Sequence, residues 1–368
     1  MNSLRVHLAE RSYDIAVTRD DLAGVGAFAR ARCPGTGAFV IADEKVAAHA
    51  VRVEQSLETA GFHVAAARRP SGEGQKSLHA AAELYDHLID LPADRRTLIV
   101  AVGGGVMGDL AGFVAATYAR GLPLLMVPTT LLAMVDSAVG GKVAVNHPRA
   151  KNMIGVFHQP IGVWIDTATL VTLADREYRS GLAEIVKYGV ILDADFFTYL
   201  ETHVAAILER EPAVVEHMVL RSCALKADVV AKDEREETGL RAVLNYGHTF
   251  AHAFETAAGY GGWLHGEAVS AGIVCASRLA QRRGLIPSDI TERQIRLLEA
   301  FSLPIIPESW DVDALLATMR TDKKSVAGRM RFILPRRLGE VALFDDVPEE
   351  EVRQVLQDAM GEGVRSED

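Results

Sequence analysis

Cysteine is scarce in this sequence and follows no pairing pattern. Cys33, Cys223 and Cys275 are the only three among 368 residues, and none lies in a CxxC motif. A disulfide framework or a thiolate zinc site needs cysteines at recurring close spacings. The composition therefore argues against both kinds of site and best fits a reducing cytoplasm.

Basic runs, a signal segment and a long apolar run are also lacking. The formal net charge is −10 without any lysine or arginine run, which argues against nucleic-acid partners and anionic membrane surfaces. The N-terminus is charged within its first dozen residues and has no apolar signal core, so it is expected to be the mature start. The most apolar stretch, 97–119, contains five glycines and Asp109, which predicts a buried strand, turn and helix instead of a membrane span. A small anionic substrate remains compatible with this charge, because a local basic pocket can form in an acidic protein.

Aromatic residues are few, at 6%, whereas apolar residues make up 49% of the chain. This composition fits close-packed helices on a sheet, and the length favours two domains. We predict an α/β nucleotide-binding domain over residues 1–177, with a mostly parallel, Rossmann-like sheet and an edge hairpin near its start. Helical periodicity then continues almost to the end, which predicts an all-α metal-binding domain over residues 178–368. The segment 172–177 is the expected hinge between them.

A glycine cluster follows the apolar run 96–102 directly. Its sequence, Gly-Gly-Gly-Val-Met-Gly-Asp over residues 103–109, lets backbone N–H groups at a helix start approach a pyrophosphate. The spacing is not GxGxxG, and glycine turns also serve packing, so both interpretations stay open. Asp43 ends another apolar run, where an acid either accepts hydrogen bonds from a ribose or caps the next helix.

Cations are concentrated around a second glycine-rich loop. Arg120, Lys142 and Lys151 lie within about thirty residues of one another, and Asn152 adds a neutral donor. A single lysine is more often a solvated surface charge. Three cations in such a loop favour a pocket for a monoester phosphate.

One carboxylate and two imidazoles form the candidate metal site. Glu184, His248 and His265 fall on three separate predicted helices, and such a set can bind a divalent ion while leaving a coordination position open. His252 lies four residues after His248, on the same face of a predicted helix over 241–257. Buried neutral histidines with a satisfied hydrogen bond are common, so each residue alone is weak evidence.

Six ordered segments resemble the 3-dehydroquinate synthase family, a branch of the sugar-phosphate cyclases. The matching segments are 103–113, 128–142, 181–187, 244–250, 264–268 and 322–324. The resemblance covers about residues 5–350 and implies an NAD-dependent carbon–oxygen lyase of the shikimate pathway. It implies conversion of 3-deoxy-D-arabino-heptulosonate 7-phosphate, a phosphorylated sugar acid, into 3-dehydroquinate and phosphate. Family members are commonly homodimers, so a homodimer is expected.

The resemblance also implies roles for individual residues. The ligands of one divalent ion, zinc or cobalt, are Glu184, His248 and His265. The cofactor-binding residues are Asp43, Glu73, Lys76, Gly104, Gly105, Asp109, Thr129, Thr130, Asp136, Lys142, Lys151, Thr172, Leu173 and Glu177. The substrate-binding residues are Arg120, Lys142, Asn152, Lys187, Lys226, Arg241, Asn245, His252 and Lys324, with Lys226 and Arg241 at the substrate carboxylate. The catalytic residues are Asp136, Lys187, Glu237 and His252, with Glu237 expected to orient Arg241.

Three departures from the family pattern lie beside these residues. Met134 stands in place of glutamine, Ala138 in place of serine and Tyr246 in place of leucine. The segment after Asp43 also lacks an asparagine that some relatives have, which puts the adenosine contacts there in doubt.

Three alternative functions stay open from the sequence. The first is another cyclase, acting on sedoheptulose 7-phosphate or on an amino analogue of the sugar acid. The second is a metal-dependent polyol dehydrogenase, and the third is a non-catalytic binding protein. Lys226 and Arg241 favour a carboxylated substrate, because they would otherwise be unpaired and desolvated.

Overall fold

The computed structural model describes residues 1–91, 93–259, 262–308, 310–321 and 330–363. The chain divides into two compact units, one of Met1–Ala174 with Val215–Arg235, the other of Asp175–Val214 with Glu236–Asp368. The sequence predicted two continuous domains, whereas a helical segment from the second half belongs to the first unit. Within that unit, Lys226 donates to the backbone and side chain of Asp136.

Nine strands form the sheets of the first unit. They are β1 (Asn2–Val6), β2 (Tyr13–Thr18), β3 (Gly37–Asp43), β4 (His63–Arg69), β5 (Leu98–Gly103), β6 (Leu124–Pro128), β7 (Lys142–His147), β8 (Ala150–Phe157) and β9 (Gly162–Asp166). Seven of them build one sheet in the order β1-β2-β9-β6-β5-β3-β4, in which only the β1–β2 pair is antiparallel. The predicted edge hairpin and parallel sheet are therefore confirmed.

Four helices connect the strands of this sheet: α1 (Val25–Arg30), α2 (Ala47–Thr59), α3 (Leu78–Asp90) and α4 (Gly105–Thr117). Every residue of β5 and β6 is buried, as expected for strands covered on both faces. Ser77 begins α3 by accepting a hydrogen bond from the Ala80 N–H. These parallel strands all end at one edge of the sheet, where the glycine cluster and Asp43 lie.

The strands β7 and β8 form a separate antiparallel hairpin, which the sequence did not predict. Most of β8 is solvent-exposed, so it lacks the apolar alternation that signals a strand. An isolated bridge from Ser77 to Asn146 joins this hairpin to the start of α3. The predicted phosphate-binding lysines, Lys142 and Lys151, therefore lie on strands instead of a loop.

Helices dominate the second unit, which confirms the predicted helical domain. They are α5 (Asp175–Leu192), α6 (Ala194–Thr202), α7 (Val204–Leu208), the start of α8 (Pro212–Lys232), α9 (His248–Ala258), α10 (His265–Arg282), α11 (Ser288–Ala300), α12 (Val312–Thr321) and α13 (Glu349–Gly363). A single hairpin, β10 (Phe332–Arg337) with β11 (Glu340–Phe344), is the described β-structure of this unit. In the described part of the chain no helix combines the length and apolarity that a membrane crossing needs.

The helix predicted over 241–257 is interrupted at Gly247. A 3-10 turn covers Leu240–Asn245, Gly247 has a φ of +79°, and α9 begins only at His248. A Cβ on Gly247 would lie 2.8 Å from the backbone nitrogen of Ile273 on α10. The close approach of α9 to α10 thus requires glycine there, and it makes His248 the first residue of its helix.

Candidate active site

The ligand atoms of Glu184, His248 and His265 converge in the second unit. They come from α5, α9 and α10, and all lie within 4.8 Å of one another. The Nε2 atoms of His248 and His265 lie 3.3 Å and 3.2 Å from the same oxygen, Glu184 Oε1. Two imidazoles and one carboxylate at this separation match the donor set of a three-ligand divalent site.

Each histidine of the cluster uses its second ring nitrogen elsewhere. His248 Nδ1 is 3.0 Å from the carbonyl oxygen of Tyr246, and His265 Nδ1 is 3.4 Å from Glu255 Oε1. In a neutral ring, such contacts favour the tautomer with the proton on Nδ1, which leaves Nε2 as the electron-pair donor. The arrangement therefore fits a metal ion without any change of ring orientation.

Lys187 places a positive charge beside the Glu184 carboxylate of the cluster. It lies one turn after Glu184 on α5, forms an ion pair with Glu184 Oε2, and both side chains are buried. Burial alone would raise the pKa of Glu184, but Lys187 and the two histidines lower it well below its usual value. Glu184 is therefore ionised, as a metal ligand must be.

An ion pair between Arg176 and Glu267 holds the start of α10, the helix that carries His265. Arg176 donates to both carboxylate oxygens of Glu267 at 2.7 and 2.8 Å, and to the carbonyl of Gly262 at 2.9 Å. Glu267 in turn accepts from the Leu264 N–H at 2.7 Å, which caps the helix. The backbone on both sides of His265 is thus fixed by paired groups.

In the first unit, the glycine cluster joins β5 to α4. Gly103 has a φ of +154°, and Gly104 is the N-cap of α4. A Cβ on Gly104 would lie 3.1 Å from Thr130, and one on Gly105 would lie 3.1 Å from Ser137. The absence of side chains leaves the first N–H groups of α4 approachable by a phosphate.

Thr129 and Thr130 lie at the end of β6, the strand beside β5. The Thr130 hydroxyl accepts from the Ala133 N–H at 3.2 Å, and so begins the next turn. The Thr129 hydroxyl is buried and has no hydrogen-bond partner among the described residues. An unpaired buried hydroxyl costs free energy unless something else pairs with it, so Thr129 fits contact with a bound ligand.

A polar network connects the residues expected around the cofactor. Lys76 forms a buried ion pair with Asp109, whose pKa is nevertheless raised because burial outweighs the lysine. Asn146 donates from its side chain to Glu73 at 2.8 Å and from its backbone to the Lys76 carbonyl at 2.8 Å. It also accepts from the Asn152 N–H at 2.8 Å. Asn146 therefore contacts three predicted site residues, although the sequence analysis gave it no role.

The other predicted cofactor residues have various surroundings. The carboxylate of Asp43 accepts from the Lys45 N–H at 2.8 Å, so it caps the following turn, as one of the two interpretations expected. Thr172 lies 3.0 Å from His49 and donates to the Thr169 carbonyl, and Leu173 follows it. Glu177 is exposed on α5.

The predicted phosphate cluster lies on backbone of unusual conformation. Arg120 and Asn152 have φ values of +70° and +56°, which few residues other than glycine adopt. The side chains of Lys142 and Lys151 are on exposed residues of the β7–β8 hairpin. Backbone strain of this kind concentrates at functional sites, which fits the predicted role.

Lys226 and Arg241 are predicted to bind the substrate carboxylate. Each contacts an acidic side chain of the protein. Lys226 Nζ is 2.6 Å from Asp136, which lies on a π-helical turn, Ala133–Ser137. Arg241 is 2% exposed, and its Nε lies 3.5 Å from Glu236 Oε1. Glu237, which was expected to orient Arg241, is exposed. The acid in ion-pair contact with Arg241 is Glu236, which is itself solvent-exposed.

The remaining predictions concern three residues of the second unit. His252 packs edge-on to His248, with ring centroids 5.7 Å apart, which confirms that one helix face carries both rings. Asn245 ends the 3-10 turn that precedes Gly247. Lys324 lies outside the described residues.

Comparison with known proteins identifies the family. The family descriptions "3-dehydroquinate synthase N-terminal" and "3-dehydroquinate synthase C-terminal" match residues 66–180 and 181–325. The 3-dehydroquinate synthase of Desulforamulus reducens is 48% identical over 97% of this chain and 99% of its own length. That of Azotobacter vinelandii is 46% identical over 97% and 96%. The chain belongs to the 3-dehydroquinate synthase family.

Solved structures of other sugar-phosphate cyclases share its fold. A 2-deoxy-scyllo-inosose synthase complexed with carbaglucose-6-phosphate, NAD+ and Co2+ has a TM-score of 0.88 at 29% identity, covering 97% of this chain and 100% of its own. The 2-epi-5-epi-valiolone synthase of Streptomyces hygroscopicus, with NAD+ and Zn2+ bound, has a TM-score of 0.88 at 28% identity, over 97% and 99%. An iron-containing alcohol dehydrogenase, at 15% identity and a TM-score of 0.65, shares the fold alone.

Sequence reasoning missed three residues of this family member's candidate site. Glu255 contacts His265, Asn146 joins Glu73, Lys76 and Asn152, and Glu236 pairs with Arg241. The spacing of Glu255 gave a usable signal, because it lies seven residues after His248 and therefore on the same face of α9. The other two depend on a hairpin and a turn that have no periodic signature.

Proposed function

We propose that the protein is a 3-dehydroquinate synthase that converts 3-deoxy-D-arabino-heptulosonate 7-phosphate into 3-dehydroquinate and phosphate. One observation carries the proposal: a three-ligand cluster, with ligand atoms within 4.8 Å, in a chain 48% identical to such a synthase. The reaction proceeds by transient oxidation, phosphate elimination, re-reduction and intramolecular aldol closure. This chemistry places the protein in the shikimate pathway.

The two groups expected to bind are NAD and one divalent ion, zinc or cobalt. When bound, NAD accepts and returns a hydride, and the metal holds and polarises the substrate hydroxyl. Glu184, His248 and His265 hold the metal, since their donor atoms already converge. The bare backbone at Gly104 and Gly105 and the unpaired hydroxyl of Thr129 fit the cofactor.

Basic residues bind the two anionic ends of the substrate. Arg120, Lys142, Asn152, His252 and Lys324 are assigned to the phosphate, and Lys226 and Arg241 to the carboxylate. Cations around a leaving phosphate stabilise the charge that it gains, and its own oxygens can remove the adjacent C–H proton. Lys187 and Asp136 are assigned to the neighbourhood of the reacting hydroxyls, and Lys187 is already buried against Glu184.

The residues assigned to the substrate carboxylate favour the sugar acid over other substrates. Arg241 is 2% exposed and has the Glu236 carboxylate 3.5 Å from its Nε, and a substrate carboxylate would supply a charged partner for this desolvated guanidinium. A polyol dehydrogenase would need no phosphate-binding residues, and the likeness to dehydrogenase structures is one of fold. An amino analogue of the sugar acid keeps the carboxylate and is the second candidate substrate.

The proposal includes a cytoplasmic homodimer that acts on a small molecule. Three buried free cysteines suit a reducing compartment, where thiols are not paired. Homodimers are expected from the family. Light scattering on the purified protein is the test of the dimer, and a monomeric mass at assay concentration would refute it.

A phosphate-release assay tests the reaction. Purified protein with zinc or cobalt and catalytic NAD is expected to release inorganic phosphate from the heptulosonate phosphate, without net NADH. Steady accumulation of NADH at 340 nm would instead identify a dehydrogenase. Arg241→Ala supplies the matched control for substrate class, since it should raise KM for carboxylated substrate while metal content stays unchanged.

A further inference from the structure

Glu255 lies beside the metal cluster without being one of its ligands. It follows His248 by seven residues on α9, which is two helical turns, so both side chains are on one face. Its Oε1 lies 3.4 Å from Nδ1 of His265, the first residue of α10. The Glu255 side chain is 14% exposed and that of His265 31%, so the contact is partly shielded from water.

The two nitrogens of His265 face two different carboxylates. Nε2 is 3.2 Å from Glu184 Oε1, and Nδ1 is on the Glu255 side. A carboxylate that accepts the Nδ1 hydrogen fixes the ring rotation and leaves the Nε2 electron pair for a metal. We infer that Glu255 is a positioning residue that orients His265 for metal binding.

The two histidines of the cluster are supported differently. His248 has a neutral backbone carbonyl, that of Tyr246, at 3.0 Å from Nδ1, whereas His265 has an ionisable acid there. A charged acceptor strengthens the hydrogen bond and makes the ring a better donor to a cation. His265 is also the more exposed ring, with 31% of its side chain accessible against 11% for His248. The more exposed ring, that of His265, is therefore the one with a carboxylate, that of Glu255, beside its Nδ1.

A purely structural role for Glu255 makes a different prediction. An ion pair that only joined α9 to α10 would affect the stability of the metal-free protein, and the conservative Glu255→Gln change would leave metal affinity intact. A positioning role predicts weaker metal binding in that variant, because the amide keeps the size but lacks the charge. The inference rests on the metal site of the proposed function, so wild-type metal binding must be measured first.

The test is a zinc titration by chelator competition on the wild type, Glu255→Gln and Glu255→Ala. Loss of a group that hydrogen-bonds to a metal-binding histidine lowers metal affinity by about 10- to 100-fold, which is the expected loss for Glu255→Ala, with a smaller but severalfold loss for Glu255→Gln. The visible absorption of bound Co2+ should also change, because the ring orientation in the cobalt site is altered. Glu292→Gln is the matched control, since Glu292 lies on the exposed face of α11, 3.5 Å from Arg296, with 58% of its side chain exposed.

The outcomes separate the two hypotheses. If wild-type protein binds no zinc, the metal site of the proposed function fails. If wild-type protein binds zinc and Glu255→Gln binds it equally, with an unchanged cobalt spectrum, the positioning role is refuted. Should Glu255→Ala fail to fold, Glu255→Gln decides alone, with its metal-free melting temperature compared with that of the wild type.

Discussion

Gly266 packs against the backbone of Ser180, so that a Cβ on Gly266 would lie 1.8 Å from the Ser180 carbonyl oxygen. The Gly266 N–H also donates to the Ser180 hydroxyl at 3.0 Å. Ser180 lies one turn before Glu184 on α5, and Gly266 directly follows His265 on α10. This close contact brings α5 and α10 together next to two of the metal ligands.

Gly266→Ala should accordingly impair both stability and metal binding. The added methyl group cannot fit without moving α10 away from α5, and overpacking of this kind costs about 1–3 kcal/mol. Urea unfolding of the metal-free protein and zinc titration are the measurements. Gly361→Ala is the matched control, because a Cβ there meets nothing within 4 Å. Unchanged zinc affinity in Gly266→Ala would show that the helix contact does not position the ligands.

The periodicity of apolar residues explains which parts of the fold were predictable from the sequence. The alternation of apolar runs and helical stretches predicted the parallel sheet. The glycine cluster 103–105 lies at the end of β5, as expected. The metal ligands were recognisable because Glu184, His248 and His265 are chemically distinctive. Their convergence was expected from the resemblance, since no spacing rule brings α5, α9 and α10 together.

Contacts between distant segments explain what was not predictable. Gly247 interrupts a helical pattern because α10 approaches it, and that approach is invisible in the local sequence. The strand β8 is largely exposed and Asn146 on β7 is only half-buried, so Asn146 carried no burial signal. Residues 215–235, which include most of α8, belong to the first unit, where Lys226 pairs with Asp136 ninety positions away in the chain.

Thr129→Val should weaken NAD binding without destabilising the protein. Valine has nearly the same shape, and the Thr129 hydroxyl has no hydrogen-bond partner among the described residues. Removing an unpaired buried hydroxyl is expected to leave the free energy of unfolding unchanged or slightly increased. Fluorescence titration with NADH should show a loss of about 2- to 10-fold in affinity, equivalent to about one hydrogen bond. A destabilised variant with normal NADH affinity would place the hydroxyl in the fold instead of the cofactor site.

Asn146→Ala should weaken cofactor binding, because the Asn146 side chain holds Glu73 and Asn152 by hydrogen bonds. The change removes the side-chain bonds to both residues but keeps the backbone bond to Lys76. Two lost bonds of about 1 kcal/mol each predict a decrease of about 5- to 30-fold in NADH affinity. Asn146→Asp is the comparison variant, since it keeps the acceptor for Asn152 but sets a carboxylate against Glu73. Wild-type affinity in both variants would contradict this role.

Glu236→Ala should affect substrate binding more than Glu237→Ala. Glu236 Oε1 lies 3.5 Å from Arg241 Nε, and both Glu236 and Glu237 are solvent-exposed. Because Glu236 is itself partly exposed, its loss is expected to raise KM only about two- to fivefold. Steady-state kinetics with the heptulosonate phosphate compares the two variants. A larger effect from Glu237→Ala would restore the role that the sequence resemblance gave to that residue.

Removal of the metal should make stability depend on the protonation of His265. Burial opposes the charged ring, but hydrogen bonds and ion pairs to Glu184 and Glu255 outweigh it and raise its pKa from 6.5 to about 10. A raised pKa stabilises the folded state fully below the unfolded value near 6.5, and this contribution is lost as pH rises towards 10.

Chelator-treated wild type should therefore lose stability between pH 6.5 and 10 relative to His265→Gln, which lacks the titrating ring. Urea unfolding at several pH values measures the difference. Zinc must displace the same proton, so apparent zinc affinity should rise with pH across this window by up to about tenfold per pH unit. A pH-independent difference between the two proteins would mean that His265 is neutral in the metal-free site, and the carboxylates around it would then serve the metal alone.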